Sequence, residues 1–414
     1  MIFNKSLSYT FLVKISGKIV SFLTVIFLTR YLTPSEYGEY SLFISYTTIL
    51  ALPLLAGIPQ LLIKKTSEVS NRLMMSSYEG FKVAIFILLL VWCVFIYAVV
   101  KNFSLFSRNS DLLILVIGIR TLMIWTVSII NGHNKVTMSQ FLIDLFQPTI
   151  LLLTFSGIVF LNGVLTLKVS LYSLTASFLL ALILSLYCNS RIDKKYKNVR
   201  PSYLISSWVR EYIPFSMVMI VSTLNTEMIT VLLGNMVSLA DVAYFKLSLQ
   251  FMLLAQIGVQ TVNSFVAPKI TKSYRNGQID EINQVLSQSV KASVIVSVPL
   301  MFFVCVGVYF LSGVIFGEEY KIIKVLVPIL FLGQISNVIT GPATTVLNMT
   351  GHQKTTLGCV FFGLVLNLVT FLCLVESYNV IGAAISISTT SLGLNVISCY
   401  YCYKRTKIKT FFRL

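Results

Sequence analysis

Long apolar stretches recur along the whole chain and are separated by short polar segments. Twelve of them reach the roughly 20 residues that a helix needs to cross a bilayer. They run much longer than strands and lack an alternation of period two, so the pattern predicts helices and argues against a barrel. In chain order they cover residues 9–29, 41–63, 83–100, 111–130, 141–161, 164–188, 213–234, 243–266, 292–312, 322–348, 355–375 and 380–403. The pattern predicts an all-α membrane protein with twelve transmembrane helices.

Composition supports this prediction and excludes several classes of protein. Of the 414 residues, 56% are hydrophobic and only 11% are charged, whereas soluble domains carry about 25% charged residues. A cytosolic enzyme, a disordered protein and a small disulfide scaffold are therefore excluded. The net charge of +17 would indicate a nucleic-acid partner in a soluble protein, so the placement of the basic residues decides its meaning.

The basic residues are distributed unequally between the two sides of the predicted membrane. With the N-terminus in the cytoplasm, the inner segments hold 22 Lys and Arg residues and the outer segments hold four: Arg30, Lys101, Arg108 and Lys321. Cytoplasmic loops of membrane proteins are enriched in Lys and Arg, so both termini are predicted to be cytoplasmic. The high net charge is then a topology signal, and no nucleic-acid partner is expected. The spans themselves keep a net charge of +4.

Weak internal similarity indicates two parallel six-helix repeats around a central cavity. Gly132-His-Asn-Lys135 after span four matches Gly351-His-Gln-Lys354 after span ten, and Thr33–Gly38 aligns with Ser238–Ala243. The predicted domains are an N-terminal six-helix lobe, a basic cytoplasmic linker, a C-terminal six-helix lobe and a basic cytoplasmic tail. They cover residues 1–188, 189–212, 213–403 and 404–414.

Several short motifs occur in or beside the predicted spans: Arg30-Tyr-Leu32-Thr-Pro34-Ser-Glu36-Tyr37-Gly38-Glu-Tyr40, Gly57-Ile58, Pro214, Leu233-Gly234 and Ala267-Pro268. In these motifs the chain resembles a known family, the Wzx-type O-antigen and polysaccharide flippases. These flippases belong to the multidrug/oligosaccharidyl-lipid/polysaccharide exporter superfamily. Two positions depart from the family pattern. Glu227 stands where aspartate is common, and Ala243 stands where the repeated turn usually carries glycine.

The resemblance implies a flippase that moves a polyprenyl-pyrophosphate-linked oligosaccharide, an O-antigen or capsule repeat unit, by alternating access. The direction would be from the cytoplasmic to the periplasmic leaflet of the bacterial inner membrane. No bond is made or broken, so the resemblance implies no enzyme, no catalytic residue and no cofactor. Other membrane proteins of polysaccharide assembly would be partners.

Charged residues inside the spans are the candidates for substrate binding. A charge at the centre of a membrane helix costs about 2.5–3.5 kcal/mol on insertion scales. The eight charged residues are Lys14, Lys18, Arg120, Asp144, Lys168, Glu227, Lys246 and Lys324. Lys18 and Arg120 each lie nine residues into a span, about 14 Å deep. We hypothesise that Lys14, Lys18, Arg120 and Lys168 form a cationic cavity for the pyrophosphate.

Other roles for these charges stay open at this point. The cations could pair with Asp144 or Glu227 to hold helices together, since intramembrane charges usually pair. The two acids could instead be proton or sodium sites that couple transport to an ion gradient. Lys168, Lys246 and Lys324 lie near span ends, from which a lysine can reach the headgroups. With only two histidines in the chain, no metal site is expected.

Other functions fit parts of the pattern. A flippase for another lipid-linked glycan, such as a peptidoglycan precursor, needs the same cationic site. A membrane-embedded oligosaccharide polymerase or ligase needs an outer catalytic surface, for which the short outer loops leave little room. A cationic-drug exporter would favour an acidic cavity. The basic segments 64–82 and 269–291 are predicted to be amphipathic surface helices that bind anionic membrane lipids.

Overall fold

The computed structural model describes residues 5–69, 72–102, 110–192 and 200–411, and these segments contain helices and no strands. Residues 193–199 of the predicted linker and 412–414 of the predicted tail lie outside the described residues. The helices are α1 (Lys5–Tyr31), α2 (Pro34–Leu50), α3 (Leu52–Leu55), α4 (Ile58–Glu68), α5 (Arg72–Asn102), α6 (Ser110–Gly132), α7 (Val136–Gln140), α8 (Gln147–Asn162), α9 (Leu167–Ser190), α10 (Ile205–Met236), α11 (Leu239–Arg275), α12 (Ile279–Phe316), α13 (Ile323–Thr340), α14 (Ala343–Met349) and α15 (Gln353–Thr406). A π-helical segment, Phe141–Phe146, joins α7 to α8, and a 3-10 turn, Glu318–Tyr320, precedes α13.

Nine helices in these described ranges are long and apolar enough to cross a membrane, and α2 with α3 and α4 adds a tenth if this bent pair is one broken span. One of the nine, α15, has 54 residues and kinks at Asn379 (φ 48°, ψ −126°). A straight helix of that length would rise about 81 Å, more than twice a hydrocarbon core of about 30 Å. Twelve spans would also require α11 to cross the membrane. Its 37 residues are long enough for this, but they are more polar than those of the other candidate helices. The number of twelve spans therefore stays a prediction.

The chain divides into two compact units with bounds of their own. Unit 1 comprises Met1–Leu32 and Phe43–Ile220, and unit 2 comprises Thr33–Leu42 and Val221–Leu414. The first ten residues of this second unit come from the loop after α1 and the start of α2. The predicted division at residues 189–212 stays a prediction.

The second span of unit 1 is broken, and aromatic side chains satisfy the carbonyl groups that the break leaves without helical partners. The chain bends by 57° between α2 and the α3–α4 segment. Trp92 Nε1 donates to the Leu50 carbonyl (2.8 Å) and Trp125 Nε1 to the Leu54 carbonyl (3.0 Å). The Tyr212 hydroxyl donates to the carbonyl of Pro53 (3.0 Å). Irregular backbone is tolerated in a membrane only where protein groups satisfy it, so these three donors allow the break.

The described end of the predicted linker packs on unit 1. The Ser202 backbone N–H donates to the Ser76 carbonyl at the start of α5 (3.0 Å), and Trp208 is buried. Lys64 Nζ donates to the Glu211 carboxylate (2.8 Å). This hydrogen bond lowers the pKa of the Glu211 carboxyl below its ordinary value. The linker is therefore attached to the ends of α4 and α5 by backbone, apolar and ionic contacts.

The two aligned turns of the sequence both begin helices of unit 2 through side-chain caps. Glu36 and Thr33 bond reciprocally, with Thr33 N to the Glu36 carboxylate at 3.0 Å and Glu36 N to Thr33 Oγ1 at 3.3 Å. At the start of α11, the Asp241 N–H donates to Ser238 Oγ (3.1 Å). Such reciprocal bonds satisfy N–H groups that have no helical partner. The similar sequences thus have the same local structure, while the duplication of six helices stays a prediction.

The two basic segments are parts of longer helices, and the tail packs on unit 2. Residues 64–68 end α4 and residues 72–82 are the first turns of α5, while residues 70–71 lie outside the described residues. Residues 269–291 comprise the end of α11, the turn at Asn276–Gln278 and the start of α12. The chain after α15 folds back onto unit 2, where Ile408 is fully buried. That the two basic segments lie on the membrane surface and bind anionic lipids stays a prediction.

Substitution of Gly38 tests the packing of α2 on α11 in unit 2. A Cβ at Gly38 would overlap with the Leu239 backbone oxygen, so the Gly38→Ala variant is expected to lose about 1–3 kcal/mol of stability. The matched control is Gly118→Ala, where a Cβ meets nothing within 4 Å. The measurement is the thermal unfolding midpoint of both variants in detergent. Equal midpoints would contradict the close approach.

Candidate functional site

The candidate site in unit 1 is built on a distortion of the fourth predicted span. Residues Phe141–Phe146 form a π-helical segment, and Asp144 lies within it. Such segments are rare and occur frequently at functional sites. Gly17 of α1 packs against this segment so closely that a Cβ would overlap with the Asp144 backbone oxygen. The absence of a side chain at Gly17 brings the backbone of α1 directly onto the acidic residue.

Lys14 and Lys18 lie on either side of this contact. They are four residues apart on α1 and so occupy one helical face, and both side chains are exposed. Their positive charges act on the Asp144 carboxylate. On the same face, the Thr10 hydroxyl lies 2.9 Å from the hydroxyl of Thr137 in α7. The structure therefore brings together three of the charged residues selected from the sequence.

Arg120 of α6 is connected to the π-helical segment through an aromatic side chain. Its Nη1 donates to Thr48 Oγ1 of α2 (2.9 Å), and its guanidinium carbon lies 6.0 Å from the centre of the Phe178 ring. Phe178 packs in one apolar cluster with Ile143 and Phe146, which flank Asp144 in the π-helical segment. We call Lys14, Lys18, Arg120 and Asp144 the cationic cluster. It carries three basic groups and one acidic group.

The structure places Lys168 apart from this cluster. Lys168 is the second residue of α9 and is exposed. Between Asp144 and α9 runs α8, whose 16 residues rise about 24 Å. A pyrophosphate spans only a few ångströms, so a group bound beside Asp144 would not reach Lys168.

The second intramembrane acid has its own partner in unit 2. Lys246 Nζ lies 2.7 Å from a Glu227 carboxylate oxygen, and the two side chains are only 16% and 20% exposed. This pair corresponds to the alternative in which intramembrane charges hold helices together, with α10 and α11 joined. Lys246 therefore balances the charge of Glu227 within unit 2.

The sequence analysis did not predict the Glu227–Lys246 ion pair or the Arg120–Thr48 hydrogen bond. The ion pair could have been predicted from its spacing. Glu227 lies ten residues before the turn at Val237 and Lys246 eight residues after Ser238. Antiparallel helices place such positions at similar depth, which predicts a pair. Thr48 carried no such signal, since its role depends on how α2 packs beside α6. Across the described residues, no group of three or more metal-binding side chains occurs.

The sequence profile of one family covers more than half of the chain. The profile described as "Polysaccharide biosynthesis protein" matches residues 3–274, and a second profile, described as MatE, matches residues 214–372. The chain belongs to the polysaccharide biosynthesis protein family. The resemblance drawn from the motifs is thereby confirmed.

Two curated proteins resemble this member of the polysaccharide biosynthesis family over nearly its whole length. One is named a probable low-salt glycan biosynthesis flippase of Haloferax volcanii. It is 23% identical over 404 residues, which are 96% of this chain and 83% of the relative. The other is named capsular polysaccharide biosynthesis protein CapF of Staphylococcus aureus. It is 23% identical over 421 residues, covering 97% of this chain and 99% of the relative.

Solved structures show which fold this family member has. The lipid II flippase MurJ in an inward closed conformation superposes with a TM-score of 0.75 at 15% identity, covering 94% of this chain and 86% of MurJ. An inward-facing multidrug resistance transporter of the MATE family, in the MOP superfamily, gives a TM-score of 0.73 at 12% identity over 94% of both chains. The likeness shows a shared fold, and with the apolar helices it identifies a multi-pass, all-α membrane protein.

The Glu227–Lys246 pair is expected to stabilise unit 2. Because removing one partner leaves a partly buried charge uncompensated, Lys246→Met should lower the unfolding midpoint more than the double variant Glu227→Gln/Lys246→Met. The measurement is a double-mutant cycle of thermal unfolding in detergent. Additive effects of the two substitutions would show that the pair contributes nothing.

Proposed function

We propose that this protein is a flippase for a lipid-linked glycan and not an enzyme. The relatives from Haloferax volcanii and Staphylococcus aureus are named for glycan and polysaccharide biosynthesis, which supports a glycan substrate. The fold shared with MurJ and MATE transporters supports transport. In finer detail, the substrate would be a polyprenyl-pyrophosphate-linked oligosaccharide, an O-antigen or capsule repeat unit. It would move from the cytoplasmic to the outer leaflet of a bacterial inner membrane by alternating access between two six-helix lobes.

The observation that carries the proposal is the excess of positive charge in the cationic cluster. Lys14 and Lys18 act on one carboxylate, that of Asp144, and Arg120 joins them through the Phe178 cluster. Lys14 and Lys18 together carry one positive charge more than Asp144 balances, and Arg120 adds a third basic group. A pyrophosphate diester carries about two negative charges, and Arg and Lys are the side chains that bind such groups. The cluster and the headgroup match in charge and in chemistry.

The proposal includes the orientation of the chain in the membrane. Both termini lie in the cytoplasm, and the basic inner segments lie against anionic lipid headgroups. Lys14 then lies nearer the cytoplasmic end of α1, from which the substrate enters, and Lys18 lies at the middle of this helix. Other membrane proteins of polysaccharide assembly would supply the substrate and receive the product.

Asp144 is the better of the two candidates for coupling to a proton or sodium gradient. Glu227 is held by Lys246 at 2.7 Å, whereas Asp144 lies among the cations that bind the headgroup. Binding of a cation to Asp144 would therefore change the net charge that the pyrophosphate meets.

The variants Arg120→Ala and Lys18→Ala test the cationic cluster. Each is expected to lower the rate of flipping about 10- to 100-fold, the effect of losing one charge-assisted hydrogen bond. The assay uses proteoliposomes that hold an undecaprenyl-pyrophosphate-linked disaccharide. A membrane-impermeant glycosidase reports how much of the glycan reaches the other leaflet.

The control is Lys324→Ala, a span lysine of unit 2 that lies 5.2 Å from the centre of the Tyr309 ring. This variant should flip at the wild-type rate. Full activity of Arg120→Ala at normal protein levels would refute the assignment. A rate that is unchanged when both proton and sodium gradients are collapsed would exclude coupling through Asp144.

A further inference from the structure

Unit 2 carries side-chain amides at the same depth in three of its helices. Asn225 of α10 lies eleven residues from Met236 at the end of that helix, and Gln334 lies eleven residues from Ile323 at the start of α13. Asn367 lies eleven residues before Tyr378, which precedes the kink of α15. These ends all belong to the predicted outer side. At 1.5 Å per residue, all three amides are about 16 Å deep, near the middle of a hydrocarbon core about 30 Å thick.

Two further amides of α11 connect with Gln334. Gln256 Nε2 donates to Gln334 Oε1 (3.1 Å), and Gln260 Nε2 donates to Gln256 Oε1 (3.5 Å). Gln334 is buried, Gln256 is half-buried and Gln260 is exposed. The three side chains thus form a hydrogen-bonded series that leads from the interior of unit 2 to its surface.

The other two amides form a pair with unused capacity. Asn367 Nδ2 donates to the backbone oxygen and to Oδ1 of Asn225, at 2.9 and 2.6 Å. Asn367 is fully buried, and its Oδ1 has no hydrogen-bond partner among the described atoms. Asn225 is half-buried, so the pair is accessible from its side. We call Asn225, Gln256, Gln260, Gln334 and Asn367 the amide layer.

Holding helices together explains only part of this arrangement. Interhelical hydrogen bonds in membranes contribute about 0.6 kcal/mol on average, and an unsatisfied buried amide costs more than that. A pair such as Asn395 with Ser336 shows what a purely structural contact looks like, since both residues are buried and the bond is 3.0 Å long. In the amide layer, by contrast, the bonded series reaches an exposed amide, Gln260.

The chemistry of the layer is neutral and offers both donors and acceptors. The nearby charges of α10 and α11 are balanced, because Lys246 lies on Glu227. An amide provides two N–H donors and one acceptor oxygen, and a sugar hydroxyl likewise donates and accepts. The layer therefore matches the uncharged, hydroxyl-rich part of a glycolipid, as the cationic cluster matches its charged part.

We propose that the amide layer binds the hydroxyl and acetamido groups of the glycan during translocation. The inference rests on the proposed function, because it assumes that the cargo is a lipid-linked glycan. It assigns sugar recognition to Asn225, Gln256 and Gln260, with Gln334 and Asn367 as positioning residues behind them. Specificity for the sugar would then change with these residues, and affinity for the pyrophosphate would not.

The test compares binding of two lipids to the purified full-length protein in nanodiscs. The probes are undecaprenyl pyrophosphate and undecaprenyl-pyrophosphoryl-N-acetylglucosamine, which share the lipid and the pyrophosphate. They differ in the sugar, which esterifies the terminal phosphate and removes one ionisable oxygen. Gln256→Met and Asn225→Ala are each expected to weaken binding of the sugar-bearing lipid about three- to tenfold, the effect of one neutral hydrogen bond. Binding of undecaprenyl pyrophosphate should stay at the wild-type level.

The matched control is Asn395→Leu, which removes a buried amide of the structural kind. It should change the unfolding midpoint and leave the preference for the sugar-bearing lipid intact. Equal weakening of both lipids by Gln256→Met and Asn225→Ala, or no preference for the sugar in the wild type, would overturn the inference. A wild-type protein that binds neither lipid would refute the proposed function itself, and Lys18→Ala should weaken both lipids equally if that function holds.

Discussion

The cost of placing charge in hydrocarbon governs the structure of unit 1. Each intramembrane cation costs about 2.5–3.5 kcal/mol, and Lys14 and Lys18 both act on one acid, Asp144. Two local features position these residues. Gly17 allows α1 to approach the π-helical segment closely. Thr48, just before the break of the second span, accepts a hydrogen bond from Arg120. The excess charge that these contacts hold in place is what an anionic headgroup would balance.

Unit 2 differs from unit 1 in how its polar side chains inside the membrane are compensated. Its ion pair between Glu227 and Lys246 is balanced, and amide side chains of its helices bond one another. The two units therefore differ in chemistry although their helices obey the same constraint. The proposed substrate, a lipid-linked glycan, likewise has a charged headgroup and an uncharged, hydroxyl-rich part.

The sequence was sufficient to predict the features that depend on hydrophobicity. It was insufficient for the features that depend on how helices pack. The apolar stretches predicted helices correctly, and the motifs around Pro34 and Glu36 identified the family. The break in the second span was not predicted, because it depends on donors from Trp92 and Trp125 far along the chain.

The same distinction applies to the candidate site. Depth along a helix correctly selected Lys18 and Arg120 for closer study, since depth follows from residue number. Depth also placed Lys168 near the end of a span, yet its charge led us to group it with the cavity, and the rise of about 24 Å along α8 separates it from Asp144. The partner of Glu227 was readable from symmetric spacing about a turn, whereas Thr48 required the structure.

The central claim is that the excess positive charge binds a pyrophosphate, and headgroup preference tests it most directly. The measurement is the affinity of the wild-type protein in nanodiscs for undecaprenyl pyrophosphate, undecaprenyl phosphate and undecaprenol at one ionic strength. Because the pyrophosphate carries the most negative charge, it should bind most tightly, at least about tenfold more tightly than the uncharged alcohol. Equal affinity for all three lipids would contradict the account.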